Sequence, residues 1–287
     1  MTALGLLLRQ TERRLARAGI GDASLEASLI WMTALDLDRT QLYAALRDTP
    51  TDDQAAAAEE LTARRLCHEP AAYLMGHREF FGLDFQVAPG VLIPRQDTET
   101  LVEEALRLPR YQDALVLADI GCGSGAIAIA LAVYLPASVV YAVDVSPRAL
   151  EITMLNAERH GVARRISPLT GSLLAPLPGP VDAIVANLPY VMSVELPTLD
   201  PEIRLFEPHE ALDGGEDGLD LVRGLLTQAP EHLLPGGAVV LEMDPRQIAA
   251  ASVFAQDVMP HATLRVVHDL AGRDRVLVVE TGVLGGR

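Results

Sequence analysis

The sequence contains few cysteines and few basic residues, and each shortage excludes a class of protein. Two cysteines, Cys67 and Cys122, occur in 287 residues, so neither a disulfide framework nor a thiolate zinc site is available. The chain has 23 lysine and arginine residues against 39 aspartate and glutamate residues, and its formal net charge is −16. Because such a charge repels phosphate backbones, we expect no direct nucleic-acid binding. A cytoplasmic enzyme fits these features best.

Long apolar runs and metal-binding motifs are also lacking. The longest apolar stretch, residues 126–143, is interrupted by Pro136 and Ser138. It therefore predicts a helix followed by a buried strand, and not a membrane span. The run Leu4–Leu8 is too short for a signal core and has no basic leader, so we expect no targeting segment and no membrane association. The seven histidines form neither an HxxxH nor an HExxH pattern, and we assign no residue to a metal.

The periodicity of apolar residues changes along the chain and predicts more than one domain. Residues 1–78 are predicted to form a small helical domain, with Asp52 and Asp53 as the cap of its Ala-rich segment. Residues 79–94 carry short β-type runs bounded by glycine and proline, and they predict a hairpin linker. The apolar residues at helical spacing in the first domain are Leu7, Leu15, Ile20, Leu25, Leu29 and Trp31.

Residues 95–287 alternate between apolar strands and helical segments, which predicts a parallel sheet with helices on both faces. The predicted buried strands are ALVLADI, SVVYAVDV, VDAIVAN and AVVLEM. The final pair, TLRVVHDL and RVLVVET, is separated only by the turn AGRD. Two strands this close must be antiparallel, because a parallel crossover needs about a dozen residues. The predicted fold class is therefore α/β, a mostly parallel sheet with a terminal antiparallel hairpin, plus a small helical N-terminal domain. Such a sheet resembles that of the Rossmann-like class I methyltransferases.

The segment ADIGCGSGAIAIALA places glycines between a predicted strand and a predicted helix. Glycine lets the backbone turn sharply and lets a ligand approach without interference from a Cβ atom, and the helix N-terminus behind the loop attracts negative charge. Asp144, at the end of the next strand, is placed to accept hydrogen bonds from ribose hydroxyls. The loop indicates a nucleoside-bearing cofactor but does not itself distinguish NAD from S-adenosylmethionine. The predicted cofactor-binding residues here are Asp119, Gly121, Cys122, Gly123, Ser124, Gly125 and Asp144.

The strand VDAIVAN is followed directly by the tetrapeptide Asn187, Leu188, Pro189 and Tyr190. Ligands of open α/β sheets bind beyond the carboxyl ends of the strands, so the tetrapeptide should lie beside the reactive end of the cofactor. The two N–H groups of a glutamine amide can donate hydrogen bonds here, one to the Asn187 side-chain oxygen and one to the Leu188 main-chain carbonyl. Pro189 fixes the backbone, and the Tyr190 ring can form a face against the planar amide. We predict Asn187, Pro189 and Tyr190 as catalytic residues, all four as substrate-binding residues, and Asn187 also as a cofactor contact.

Two further groups of polar residues admit two interpretations each. In the segment IPRQDTE, Arg95, Asp97 and Glu99 either line the active site or only cap the following helix. Glu242 and Gln247, near the end of the predicted strand AVVLEM, either reach the cofactor region or are surface groups.

With these motifs, the chain resembles the N5-glutamine methyltransferases of peptide chain release factors, the PrmC/HemK family. The similarity covers nearly the whole length and is weakest in the helical N-terminus. The matching blocks are EPAAYLMGHREFFGLDFQVAPGVLIPRQDTETLVE, DIGCGSGAIAIALA, VDVSPRAL, the NLPY site, FEPHEALDGGEDGLDLVRGLL and DLAGRDRVLVVE.

The resemblance implies an enzyme that uses S-adenosylmethionine, releases S-adenosylhomocysteine, and methylates the glutamine of the release factor's Gly-Gly-Gln loop. It also implies that the helical domain recognises the release factor, and it places a cofactor contact near Ser172. Two positions depart from the family pattern. Leu188 replaces the first proline of Asn-Pro-Pro-Tyr, and the segment TGSLLAPL lacks the acid often found there. We expect a monomer.

Other functions stay open at this stage. A close relative would methylate a glutamine of a ribosomal protein. Methyltransferases of exocyclic base amines use the same kind of Asn-Pro-Pro-Tyr site, but the acidic balance and the lack of basic runs argue against them. The chain could also be a scaffold that binds the cofactor without catalysis, and only the replacement of the first proline by Leu188 favours this function. An NAD-dependent oxidoreductase ranks below all of these, because no catalytic His/Lys/Tyr constellation is evident.

Overall fold

The computed structural model describes residues 2–108 and 114–282, and the chain divides into two compact units. One unit comprises Met1–His77 and Asp200–Phe206, and the other comprises Arg78–Leu199 and Glu207–Arg287. The domain boundaries expected from the sequence, at residues 78 and 94, remain a prediction. Residues 109–113 and 283–287 of the predicted methyltransferase domain lie outside the described residues.

The first unit is helical, as its periodicity predicts. Leu15, Ile20 and Trp31 lie in its apolar core, whereas Leu25 is 45% exposed. The indole nitrogen of Trp31 donates to the Thr11 hydroxyl at 3.1 Å, which satisfies the polar atom of this buried ring. The helices of the unit are α1 (Leu4–Arg17), α2 (Ala23–Leu35), α3 (Arg39–Ala44), α4 (Asp52–Leu66), α5 (Ala71–Met75) and α9 (Pro201–Phe206).

The predicted cap of α4 was wrong by one residue. Thr51 is the N-cap, and its hydroxyl accepts from the Gln54 amide while the Gln54 side chain accepts from the Thr51 amide. This reciprocal pair satisfies two backbone donors. Asp52 and Asp53 lie in the first helical turn instead, where a negative charge still favours the positive end of the helix dipole.

The second unit is built on a seven-stranded sheet in the order β5-β4-β3-β6-β7-β9-β8. The pairs within β5-β4-β3-β6-β7 are parallel, and β9 is antiparallel to both β7 and β8. The predicted fold class, with its terminal antiparallel hairpin, is thus confirmed. The strands of the sheet are β3 (Val116–Ile120), β4 (Val139–Asp144), β5 (Ile166–Thr170), β6 (Val181–Asn187), β7 (Leu233–Glu242), β8 (Thr263–His268) and β9 (Asp274–Glu280).

Helices cover both faces of this sheet. Successive strand residues alternate between two apolar clusters: Val240 belongs to one, and its neighbours Val239 and Leu241 belong to the other. A strand that is buried on both faces reads as a continuous apolar run, which is why these segments were visible in the sequence. The helices of the unit are α6 (Glu99–Leu106), α7 (Ala126–Tyr134), α8 (Pro147–Arg159), α10 (Asp220–His232) and α11 (Ile248–Val258).

A two-stranded hairpin precedes the sheet, and it begins two residues before the segment, 79–94, for which the sequence predicts a hairpin linker. Its strands are β1 (His77–Phe80) and β2 (Leu83–Gln86). The two turn residues, Phe81 and Gly82, have φ of 53° and 73°, as the tight turns of right-twisted hairpins require. Among residues 2–108 and 114–282, no helix has the length and apolar character to cross a membrane.

Candidate active site

A cavity opens at the carboxyl ends of the parallel strands, where open α/β sheets bind ligands. It encloses about 770 Å³ of space that protein atoms do not fill, part of which is open to solvent. The predicted site residues that line it are Gly121, Gly123, Asp144, Ser172, Asn187, Leu188 and Pro189.

The glycine loop between β3 and α7 forms one wall of the cavity. Gly121, Gly123 and Gly125 all have positive φ, between 55° and 80°, a region that other residues enter only under strain. The backbone amides of Gly121 and Cys122 donate to the Val143 carbonyl at 2.8 and 3.0 Å. The loop is therefore fixed to β4, the strand that carries Asp144.

Asp144 holds the loop from the other side. Its Oδ2 accepts from the Gly123 amide and its Oδ1 from the Ser146 amide, both at 2.9 Å. An ionised carboxylate has about four lone-pair sites, so each oxygen retains a site for a further donor. Asp144 is thus held in place by backbone amides and can still accept hydrogen bonds from a ligand in the cavity.

Four of the predicted cofactor residues are not among the residues that line the cavity. Asp119 is fully buried, and its Oδ2 accepts from the Ala128 amide at 2.9 Å while its Oδ1 has no hydrogen-bond partner. Burial, together with the nearby Asp144 charge, raises the pKa of Asp119 to about 7. The other three are the buried Cys122 and Ser124, and Gly125 at the N-terminus of α7.

Asn156, on α8, is a residue that sequence reasoning missed. Its fully buried side chain donates to the carbonyls of Gln86 and Ser124, each at 2.9 Å, and accepts from the Gln86 amide at 2.7 Å. It therefore connects the hairpin to the glycine loop. In the sequence, this residue reads only as one polar position of an amphipathic helix.

The tetrapeptide follows β6 directly. The side-chain nitrogen of Asn187 donates to the Thr98 hydroxyl oxygen at 3.0 Å, so the amide oxygen lies on the other side of that planar group. Leu188 is buried, at 4% exposure. Tyr190 does not line the cavity. Burial, together with the charge of Glu242, raises the pKa of its phenol to about 12.

Gln247 fixes the end of the tetrapeptide. Its side-chain nitrogen donates to the Tyr190 carbonyl at 2.7 Å and to the Asp217 carbonyl at 3.1 Å. Glu242 pairs in register with Asn187 across β6 and β7. Both Gln247 and Glu242 are buried, at 6% and 2% exposure. The interpretation of these two residues as surface groups was therefore wrong.

The segment IPRQDTE lies near this part of the site. Arg95 pairs with the buried Glu207, and Asp97 pairs with Arg275 at 3.0 Å. Glu99 accepts from the Phe81 amide at 2.9 Å. These side chains thus engage other segments. Within this segment, Thr98 contacts the site, because its hydroxyl oxygen accepts from the Asn187 side chain. Thr98 was not among the residues predicted from the sequence.

No group of three or more His, Cys, Asp or Glu side chains within residues 2–108 and 114–282 is arranged to hold a metal ion.

The sheet topology, with a cavity at its carboxyl edge, is that of the class I methyltransferase fold, and solved structures share this fold. A methyltransferase from Pyrococcus furiosus has a TM-score of 0.55 at 19% identity, with 78% of this chain and 100% of that chain covered. A ribosomal protein L11 methylase from Lactobacillus delbrueckii has a TM-score of 0.50 at 24% identity, covering 68% of this chain and 84% of that chain. Both likenesses concern the fold alone.

Sequence comparisons identify the family. The family model "PrmC N-terminal domain" matches residues 7–76, and "Ribosomal protein L11 methyltransferase (PrmA)" matches residues 98–198. The release factor glutamine methyltransferase of Moorella thermoacetica is 44% identical over 93% of this chain and 95% of its own length. That of Geobacter sulfurreducens is 46% identical over 83% and 82%. The chain belongs to the family of release factor glutamine methyltransferases.

Proposed function

We propose that this protein transfers a methyl group from S-adenosylmethionine to the side-chain amide nitrogen of the glutamine in the Gly-Gly-Gln loop of peptide chain release factors. The observation that carries the proposal is the orientation of Asn187 at the cavity wall. Its amide nitrogen is engaged by Thr98, which leaves its amide oxygen as the acceptor for a substrate N–H. Membership of the family supplies the identity of the acceptor protein.

The residues of the cavity fit S-adenosylmethionine. Gly121 and Gly123 bring bare backbone to the wall, and Asp144 offers carboxylate lone pairs that suit ribose hydroxyls. Ser172, at the same wall, is the proposed contact for the adenine side. When bound there, S-adenosylmethionine supplies a methyl group on a positively charged sulfur.

The protein's part in the reaction is to orient a poor nucleophile. The lone pair of an amide nitrogen is delocalised into its carbonyl. If the two N–H groups of the substrate amide donate hydrogen bonds to the Asn187 oxygen and the Leu188 carbonyl, electron density moves toward the amide nitrogen. The same two hydrogen bonds hold the amide against rotation. Positioning of this kind contributes at most about 7–11 kcal/mol to lowering a barrier. The proton leaves the methylated nitrogen after transfer, because an N-protonated amide is a strong acid.

Tyr190 has a steric part in this proposal. Since its pKa is raised to about 12, the phenol stays protonated at neutral pH and does not act as a base. Its ring is proposed to bound the site on the face of the substrate amide. Gln247 donates to the main-chain carbonyl of Tyr190 and so fixes the backbone that carries the ring.

The helical unit is proposed to recognise the release factor, in the cytoplasm where translation ends. The family model that matches residues 7–76 supports a dedicated N-terminal domain. We propose that the enzyme acts as a monomer.

The test is a methylation assay with labelled S-adenosylmethionine, in which release factors, ribosomal proteins and total RNA are offered separately and the products are mapped by mass spectrometry. Label on the Gly-Gly-Gln glutamine is the expected result. Label on RNA alone, or on a ribosomal protein alone, would overturn the proposed acceptor.

Asn187→Ala is expected to lower the rate at least about 100-fold, because it removes an interaction that orients the reacting group. Cofactor binding, measured by calorimetry, should persist. Gln256→Ala is the matched control, since it removes an exposed amide side chain on α11 that donates to the Pro260 carbonyl. An Asn187→Ala variant as fast as this control would contradict the proposed role of Asn187.

A further inference from the structure

A second glycine-rich loop, residues 214–218 with the sequence GGEDG, lies against the far end of the tetrapeptide. Directly after the tetrapeptide, the Val191 amide donates to the Leu212 carbonyl at 3.0 Å, and the Val191 carbonyl accepts from the Gly214 amide at 2.8 Å. The chain therefore leaves the tetrapeptide along a path that is bonded to the start of the GGEDG loop.

Two glycines let the main chain of the GGEDG loop approach the main chain of the tetrapeptide closely. At Gly214, an added Cβ would lie 2.7 Å from the Pro189 carbonyl oxygen. At Gly218, whose φ is 76°, an added Cβ would overlap the Tyr190 carbonyl oxygen and the Gln247 side-chain nitrogen. Because glycine has no Cβ, it permits this approach, and the loop supports the backbone of Pro189 and Tyr190.

The GGEDG loop is closed by its own hydrogen bonds. The Asp220 amide donates to the Gly214 carbonyl at 3.1 Å. Near the other end of the loop, the Asp217 carboxylate accepts from the Leu219 amide at 3.2 Å and pairs with Arg223. These contacts define the shape of the loop, so it can support a neighbouring segment.

Gln247 joins the GGEDG loop to the tetrapeptide. It is the residue before α11, and its side chain does not cap that helix. Its side-chain nitrogen donates instead to the Tyr190 carbonyl at 2.7 Å and to the Asp217 carbonyl at 3.1 Å. The orientation of the Gln247 amide follows from these partners, because the opposite orientation would place the amide oxygen against two carbonyl oxygens, which have no proton to donate.

The backbone of Gln247 is fixed, whereas one atom of its side chain is unsatisfied. The Gln247 amide donates to the Asp244 carbonyl, and the Gln247 carbonyl accepts from the Ala251 amide, both at 2.9 Å. The side chain is buried, and its Oε1 has no hydrogen-bond partner among the described residues. Leaving a buried acceptor unpaired is unfavourable, so stability alone does not explain an amide side chain at this position.

We infer that Gln247 is a positioning residue for methyl transfer: it holds the tetrapeptide against the GGEDG loop and so fixes the Leu188 carbonyl that is proposed to accept a substrate N–H. This inference rests on the proposed function, and it identifies what keeps that acceptor in place. Asn187 is the last residue of β6, so the sheet fixes the start of the tetrapeptide. Gln247 fixes its end, and the Leu188 carbonyl lies between these two fixed points.

The segment between the two fixed points is stiff. The ring of Pro189 fixes its own φ, and a residue that precedes a proline is restricted to extended backbone. The torsions of Leu188 and Pro189 therefore absorb little of a displacement of Tyr190, and a loose Tyr190 would move the Leu188 carbonyl. A misplacement of about 1 Å at a reacting group can lower a rate about 100-fold.

The first test is Gln247→Met, which keeps the length of the side chain and removes both N–H donors. We expect kcat to fall about tenfold, or about 1.4 kcal/mol. The KM for S-adenosylmethionine should change less than about twofold, because Gln247 is not among the residues that line the cavity. Gln256→Met, at an exposed position of α11, is the matched control and should match the wild type. A Gln247→Met variant as fast as this control would overturn the inference.

Gln247→Glu adds a readout that depends on the hydrogen bond itself. A protonated glutamic acid still donates one hydrogen bond, whereas an ionised carboxylate only accepts, and burial raises the pKa of a carboxyl group. With rates normalised to the folded fraction from circular dichroism, kcat of Gln247→Glu relative to the wild type should fall at least about fivefold between about pH 5.5 and pH 9. The ratio for Gln247→Met should stay constant, and a constant ratio for both variants would contradict the inference.

Amide hydrogen exchange followed by NMR needs no substrate. In Gln247→Met, the amides of Val191 and Gly214 should exchange at least about tenfold faster than in the wild type, with the amide of Val240 in β7 unchanged. Equal acceleration at all three would show a general loss of stability, and no acceleration would show that Gln247 does not hold the tetrapeptide. Either outcome would overturn the inference. If the wild type methylates no glutamine, the proposed function fails, while the exchange measurement still decides whether Gln247 holds the tetrapeptide.

Discussion

Replacement of Glu242 by glutamine is expected to stabilise the methyltransferase unit above neutral pH. Glu242 is 2% exposed, one of its carboxylate oxygens has no hydrogen-bond partner, and Arg275 and Arg95 only partly offset its burial. Burial raises the pKa of Glu242 from its ordinary value of 4.5 to about 7. An isolated buried charge is unfavourable, and glutamine has nearly the same shape without the charge.

The sign and size of the effect follow from proton linkage. Because the folded-state pKa of Glu242 is raised, the folded protein keeps a proton that the unfolded chain has already released. The stability associated with neutral Glu242 is therefore present below about pH 4.5 and is lost as the pH rises through about 7. At 1.36 kcal/mol per pKa unit, the raised pKa of Glu242 destabilises the folded unit, relative to low pH, by about 3 kcal/mol at pH 8 and by about 1 kcal/mol at pH 5. Glu242→Gln should gain these amounts relative to the wild type.

The assay is urea-induced unfolding at pH 5 and pH 8. The chain has a single tryptophan, and Trp31 lies in the helical unit, so its fluorescence follows that unit alone. Far-UV circular dichroism then identifies the transition of the sheet, where Glu242 lies. Glu231→Gln, at an exposed position of α10, is the control and should leave the unfolding free energy unchanged. A gain for Glu242→Gln that is the same at both pH values would refute the reasoning, because only a titrating group makes the gain depend on pH.

Two further predictions concern the loop and the tetrapeptide. Gly125→Ala should weaken cofactor binding at least about tenfold and lower the melting temperature by several degrees. A positive φ is unfavourable for alanine by about 1–2 kcal/mol, and the added Cβ would lie 2.8 Å from the buried Thr153 methyl group. Gly161→Ala is the control, because Gly161 has a φ of 70° but an added Cβ there would meet no atom within 4 Å. Cofactor binding is measured by calorimetry and stability by thermal melting. If both variants change these two quantities equally, the clash at Gly125 is not the cause. Leu188→Pro should raise the free energy of unfolding by about 0.4–1 kcal/mol, because a proline in a compatible conformation reduces the freedom of the unfolded chain. A lower free energy of unfolding in urea would show that the backbone there does not suit proline.

The sheet was predictable because burial on both faces gives its strands continuous apolar runs. The exception is β5, whose sequence ISPLT was not among the predicted strands. It lies at the edge of the sheet and most of its residues are exposed, so neither an apolar run nor strict alternation marks it. An edge strand also tolerates Pro168, which in a central strand would argue against the assignment.

The polar groups that hold the site together were harder to predict than the groups that line it. Gly121, Asp144 and Asn187 belong to motifs whose chemistry can be read locally. Thr98 stands before an acidic helix, so its residue type is explained by capping and its contact with a strand 89 residues later leaves no local trace. Contacts of this kind depend on which strands become neighbours, and local periodicity does not encode strand order.

Four adjacent parallel strands each place a polar side chain at or near their carboxyl ends, and this arrangement divides the site into two halves. Asp144 on β4 and Asp119 on β3 engage the glycine loop and the start of α7, on the side proposed for the cofactor. Asn187 on β6 and Glu242 on β7, which are register partners, form the half proposed for the amide. The two buried acids lie on different halves, and burial raises the pKa of each. Burial of a carboxylate is unfavourable, and an apolar residue at either position would avoid it. Stability therefore does not explain why both positions are acidic, whereas a role in the site does.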